Sequence, residues 1–389
     1  MPRRHLVPAL LLAVALAATG CGGDDDTPAP SQGSAPPAAN DEQLNLKGSC
    51  PATVVVQTDW DPEPEYGVYY HLLGPNPKVD TERKRVSAPL VAQGKDTGVR
   101  LEVRTGGPSI GFEPVSAQMY KDKSITLGQV STDEAIRFSD GQPTQAVVAP
   151  MEVSPFMIMW DPATYPQFQR IADIGKTDTK VFYFEGDTYM EYLIAAGVLK
   201  RSQVDGSYDG KPANFVAAGG KAAQAGFATS EPYIYQNEVR QWGKPVRYAL
   251  VNEAGYPFYP QALSVRAGEV DQLAPCLEKL VPIVQRAQVD YLNDPAATNA
   301  LILDLVEQYD TGWVYSAGLA EYAIAKMREE FVGNGPDQTL GNFDMARVER
   351  MLEIVTPIFT AQRKPPKEGL TAADIATNQF VDEAIGVAP

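Results

Sequence analysis

Short strand-like runs alternate with helix-compatible stretches along residues 53–251, and that alternation limits the chain to an α/β architecture. Runs rich in Val, Ile, Leu and Thr at 53–58, 99–104, 124–130 and 145–150 make a first set. Runs at 156–160, 180–184, 214–217, 226–229 and 246–251 make a second, with a helix predicted over 188–199. Such alternation predicts largely parallel sheets. From about residue 271 the period becomes that of long amphipathic helices, at 272–292, 298–309, 318–331 and 344–359, expected to cover the first sheet. The Pro-rich stretch 74–89 reads as an irregular insertion. The fold class is α/β with two lobes: 50–152 opens lobe 1, 153–252 is lobe 2, and 253–389 returns to lobe 1 with C-terminal helices. Open α/β sheets bind ligands outside the carboxyl ends of their strands, so function is expected in a cleft between the lobes.

Residues 1–20 read as a targeting segment: Arg3 and Arg4, then an uncharged apolar run over 6–18 too short to span a bilayer. The segment ends Leu16-Ala17-Ala18-Thr19-Gly20-Cys21, which resembles the lipobox of bacterial lipoproteins and makes Cys21 the expected lipidated N-terminus. An ordinary secretory signal is the alternative, and both imply export. Residues 21–49 are dominated by Gly, Asp, Pro, Ser, Ala and Gln with few large apolar side chains, the composition of a flexible tether. Two lipid chains on Cys21 would hold the protein at a membrane. In an exported chain the remaining pair, Cys50 and Cys276, is expected to form a disulfide, with two separate buried thiols as the alternative.

The 389 residues carry 33 basic and 49 acidic side chains, a formal charge of −16. A chain this acidic offers no broad basic surface for nucleic acid. Two histidines and three cysteines cannot build a His-rich or four-thiolate zinc site, so no metal and no cofactor is expected. No Gly-x-Ser-x-Gly elbow, His-Glu-x-x-His pair or phosphate-binding loop occurs. A carboxylate-dependent hydrolase remains as a reading of a different class, but nothing in the spacing selects a catalytic pair from 49 acids.

Binding candidates gather at strand ends. The first strand runs into Asp59-Trp60-Asp61-Pro62-Glu63-Pro64-Glu65-Tyr66-Gly67-Val68-Tyr69, which brings rings and carboxylates together. Trp60, with Tyr66 or Tyr69, can stack on a flat ligand, or Trp60 can be an edge-of-core side chain. Asp59 can accept hydrogen bonds. Thr229, Ser230 and Glu231 end a later strand, either as ligand contacts or as helix caps. Ser109 and Ser131 lie in strand-to-helix turns, and Tyr189 and Tyr256 are further candidates.

These residues resemble a known family. Val54-Val55-Val56-Gln57-Thr58-Asp59-Trp60 with Pro62, Gly67 and Tyr69, and Thr229-Ser230-Glu231-Pro232 after Gly219-Gly220-Lys221-Ala222-Ala223-Gln224-Ala225-Gly226, are similar to the substrate-binding proteins of ABC importers. The nearest likeness is to the thiamine-pyrimidine-precursor and taurine/nitrate/sulfonate group. The resemblance implies a type II periplasmic-binding fold that closes on its ligand, a small-molecule ligand, an ABC permease as partner and a monomeric state. Within that family a Pro-Gly-Ser type turn often holds an anion on its amides. Here the turn is Glu185-Gly186-Asp187-Thr188. Its carboxylates favour amines, ring N–H donors or a cation over sulfonate or nitrate, unless Asp187 caps the next helix and Glu185 is solvated. The expected ligand is a small aromatic or heterocyclic nutrient, with a thiamine pyrimidine precursor leading and taurine, sulfonate, nitrate or a flavin as alternatives. The family's iron-linked pyrimidine synthases need histidines and cysteines that this chain lacks.

Overall fold

Val54, Val55 and Val56 are all buried, as β-branched residues in a strand covered on both faces should be. They form the heart of β1 (Thr53–Gln57) in a computed structural model that describes residues 35–335 and 337–387. The next strands are β2 (Lys78–Asp80), β3 (Arg85–Ala92), β4 (Lys95–Arg104), β5 (Leu127–Gln129) and β6 (Thr144–Val148). The second sheet takes β7 (Phe156–Trp160), β8 (Lys180–Phe182), β9 (Val204–Asp205), β10 (Ala222–Phe227) and β11 (Arg247–Leu250), and β12 (Leu263–Arg266) returns to the first. The first sheet has the order β2-β3-β4-β1-β5-β12-β6 and the second β11-β7-β10-β8-β9. The chain crosses between them at 149–155 and again at 251–262.

Both sheets are mixed rather than largely parallel. β1 runs parallel to β4 and β5, but β12 is antiparallel to β5 and β6. In the second sheet β7 is antiparallel to β10 and β11, while β10, β8 and β9 are parallel. The expected irregular insertion at 74–89 is instead ordered, because β2 and β3 extend the sheet as an antiparallel meander into β4. Its second turn explains why: Gln93 and Gly94 take φ of 49° and 72°, and a two-residue turn with positive φ at both positions joins only antiparallel strands. The expected strand at 214–217 is a short helix, Ala213–Ala217, that starts after Pro212 and buries Phe215 against Tyr235 and Trp242. No strand was expected at β12.

The C-terminal helices serve both sheets, not the first alone. Val270–Asn293 lays Leu277, Leu280, Val281 and Val284 into the core that contains Val54 and Val56. Ala317–Lys326 and the turn after it instead bury Leu319, Ile324, Met327 and Phe331 with Met157 and Met159 of β7. Met345–Ala361 packs on Thr132–Arg137 and on Thr188–Ala195, helices that follow strands of different sheets.

Cys50 and Cys276 form a disulfide that joins the entry to β1 with the long helix, across a sequence separation of 226. The tether expected to run to residue 49 gives way to packed chain well before it. Ala38 bridges Asp96, the Leu46 amide donates to Thr97 O at 2.9 Å, and Leu46 is fully buried. Leu44 and Leu46, the large apolar residues of that stretch, supply the surface that holds it down. The targeting segment and Cys21 lie outside the described residues.

Candidate functional site

The strand ends of both sheets open onto one cavity of about 460 Å³, a volume suited to a small organic ligand. Its first wall follows β1. The Thr58 hydroxyl donates to Trp60 O at 3.0 Å, and the amides of Gly106 and Gly107 donate to Trp60 O and Asp59 O at 3.0 and 2.8 Å. These bonds fix Asp59 and Trp60 at the cavity edge. Gly107 has φ 53°, and a Cβ there would sit 2.7 Å from Trp60 Cε3, so the tryptophan occupies space that only glycine leaves free. Trp60 is half-buried. Its ring centroid lies 5.4 Å from Phe184, 5.9 Å from Phe112 and 6.1 Å from Trp313. It lines the cavity and also packs on the core.

Eight acids line the cavity: Asp59, Glu63, Glu113, Asp133, Glu134, Glu185, Asp187 and Glu231. The basic residue on the wall is Arg137, whose guanidinium donates at 3.1 Å to Gly186 O in the loop after β8 of the second sheet. Burial drives the acids toward neutrality: Asp59 rises to about 6, and Glu134 and Asp187 to about 7. Burial also raises Asp133 and Glu231. Glu231 is held by the Tyr208 hydroxyl at 2.8 Å and the Phe227 amide at 2.6 Å. Asp133 accepts from the hydroxyls of Ser131, at 2.5 Å, and Tyr256, at 2.8 Å. Several buried wall atoms have no hydrogen-bond partner within 3.5 Å: Asp59 Oδ1, Gln129 Oε1, Asp187 Oδ2, Gln261 Oε1 and the Tyr189 hydroxyl. The two amide oxygens among them only accept, and the two carboxyl oxygens accept when ionised. A buried acceptor without a donor is costly, so this wall is complementary to a ligand rich in N–H or O–H groups.

Of the residues singled out from sequence, Asp59, Trp60, Tyr66, Ser131, Glu185, Asp187, Tyr189, Ser230 and Glu231 line the cavity. Asp187 makes no capping bond to the helix it precedes, and neither does Ser230. Ser131 does cap its helix, accepting from the Glu134 amide. Glu185 is exposed at the mouth. Tyr69, Ser109, Thr229 and Tyr256 stand off the wall. Tyr69 is buried in the first-sheet core, where its hydroxyl meets Gln129. Ser109 is solvent-exposed on a 3-10 turn. Thr229 is fully buried and donates to Glu65, which follows β1 of the first sheet. Tyr256 reaches Asp133 from behind the wall. Sequence reasoning passed over Glu63, Gln129, Asp133, Phe184, Tyr208, Gln261 and Trp313, all on the wall. Glu63 and Asp133 stood beside chosen residues, whereas Gln261 and Trp313 sit in loops with no local signal.

No protein-family model matches the chain, and no curated protein does. Solved structures match over most of its length. The periplasmic aliphatic sulphonate binding protein SsuA from Escherichia coli superposes with a TM-score of 0.54 at 14% identity, covering 83% of this chain and 91% of its own. The ligand-binding component of an ABC-type import system from Staphylococcus aureus gives 0.53 at 12% identity, covering 85% and 99%. This is the periplasmic-binding-protein fold. The periplasmic nitrate-binding protein NrtA from Synechocystis shares it, with a TM-score of 0.50 at 14% identity and coverage of 85% and 87%. In this periplasmic-binding-protein fold the acid-lined cavity lies between the two sheets, with residues of both on its wall.

Proposed function

We propose that the chain is the extracytoplasmic solute-binding lipoprotein of an ABC importer. It captures a small aromatic or heterocyclic nutrient bearing N–H donors between its lobes and hands it to a permease. The observation that carries this reading is the combination of unpartnered buried acceptors with the aromatic group around Trp60 in one interlobe cavity. Flat rings stack on such side chains, and amino groups satisfy such acceptors. A thiamine pyrimidine precursor has both features and is the leading candidate. Sulfonate and nitrate have neither, and they would meet eight carboxyl groups. In this reading lobe 1 comprises residues 50–152 and 253–389, lobe 2 is 153–252, and the crossings at 149–155 and 251–262 serve as the hinge. Export, lipidation at Cys21 and a monomeric receptor complete the proposal. Among the described residues no helix is long and apolar enough to cross a membrane.

Native mass spectrometry of the purified full chain, followed by denaturation and identification of whatever is released, tests it. An intact amino-substituted heterocycle is expected. A bound sulfonate or nitrate would overturn the ligand class, and turnover of the bound compound would replace capture with hydrolysis.

A further inference from the structure

Three carboxyl groups, those of Asp59, Glu63 and Glu231, line the cavity, and Glu65, which accepts from Thr229, stands buried behind them. Asp59, Glu63 and Glu65 belong to the loop and 3-10 turn after β1 on the first sheet, and Glu231 to the turn after β10 on the second. Glu63, Glu65 and Glu231 are only 5%, 1% and 7% exposed. The charged neighbours that act on Glu63 are Glu65, Asp59 and Glu231, and those that act on Glu65 are Glu231 and Asp59, each disfavouring ionisation of the other. The remaining titratable groups around them are the hydroxyls of Tyr66, Tyr69, Tyr70, Tyr189, Tyr208, Tyr235, Tyr291 and Tyr315 and the carboxyl of Glu134. Lys84 acts on Asp61, at the edge of the group, and Arg137 is engaged with Gly186 O. Two fully sequestered acceptors stay bare: Glu65 Oε2 and, 4% exposed on the cavity wall, Gln261 Oε1. Asp59 Oδ1 is bare beside them.

We infer that the solute is an organic cation, and that its positive charge holds the closed state by entering a carboxylate cluster that closure assembles from both lobes. This rests on reading the cleft as a solute site and names the charge class of what enters it. Bringing Glu231 to three acids of the other lobe is opposed by like-charge repulsion unless protons or a cation join them. Among the described residues no three acids are set to hold a metal ion. The rings of Trp60, Phe184 and Trp313 suit an organic cation instead, through cation–π attraction. A neutral isostere would gain the same ring contacts and leave the repulsion in place.

The test compares the full chain, freed of any retained solute, with its Glu63→Gln/Glu231→Gln variant by small-angle scattering at about pH 8 and about pH 5. Wild type is expected to be extended at the higher pH and compact at the lower, and the variant compact at both. Benzylamine and benzyl alcohol, a cation and its neutral isostere, are then titrated into wild type at the higher pH. The amine is expected to compact the protein and to bind about tenfold tighter or more than the alcohol. Equal radii for wild type and variant at the higher pH, or an amine no better than the alcohol, overturn the inference. Retention of a neutral solute overturns it and leaves the transport reading standing. Cation-driven closure in a protein that never engages a permease sinks transport alone.

Discussion

Trp60 sits where three demands meet: backbone bonds from Gly106 and Gly107 fix its position, Phe184 and Trp313 enclose its ring, and one part of it faces the cavity. Trp60→Ala is expected to weaken solute binding by about 1–3 kcal/mol, the magnitude of aromatic burial and ring pairing. Calorimetry on the retained solute checks this, and unchanged affinity would remove Trp60 from the site. The acids give a second residue-level prediction. Asp59 is raised to about 6, and Glu65, Glu134 and Asp187 to about 7, all chiefly by burial. Each folded-state value exceeds that of the unfolded chain, so the folded protein holds protons that the unfolded chain has released between about pH 4 and about pH 7. Stability of the solute-free protein is therefore expected to fall as pH rises through that window. Denaturant unfolding at several pH values measures it, and Asp187→Asn should flatten the slope.

Among the elements, the helix Val270–Asn293 is tied to the entry of the first sheet, because its Cys276 is bonded to Cys50 just before β1. Replacing both cysteines by serine is expected to lower unfolding free energy by about 2–5 kcal/mol, through the freedom restored to a long loop in the unfolded state. Solute affinity should be unchanged, since neither cysteine is on the cavity wall. A stable double variant with altered affinity would instead mean that the helix position is transmitted to the site. The helix Met345–Ala361 has a different part. It touches two helices that follow strands of different sheets, Thr132–Arg137 and Thr188–Ala195, whose N-terminal ends carry Asp133 and Asp187 to the cavity.

At the scale of the whole molecule, contacts beside the cavity join segments that follow strands of different sheets: Arg137 to Gly186, Glu65 to Thr229, and Trp60 against Phe184. In the proposed clamp these contacts accompany closure. Saturating the protein with its solute is accordingly expected to reduce its radius of gyration. Scattering with and without solute checks this, and an unchanged radius would exclude a clamp. The excess of acidic over basic residues also has a whole-molecule consequence, since it favours approach of cations and slows that of anions in a salt-dependent way.

Sequence alone determined what depends on neighbours in the chain. The run 156–160 became β7 and the late periodic stretches became helices, because an element's type follows from side-chain period and flanking residues. The carboxylates at the ends of β1 and β8, and the aromatic character beside them, were legible for the same reason. Whether Asp187 caps the next helix was not legible locally; in the fold its side chain makes no cap bond. Tertiary structure decided everything that joins distant positions. It turned β12 antiparallel between β5 and β6, set Thr229 on Glu65 at a separation of 164 residues, and brought Gln261 and Trp313 to the wall. It also drew Tyr69 into the core and bonded Cys50 to Cys276. Such pairings are fixed by packing of whole faces and by burial that no local window contains. The raised carboxyl groups belong with them, because their displacement comes from burial between lobes.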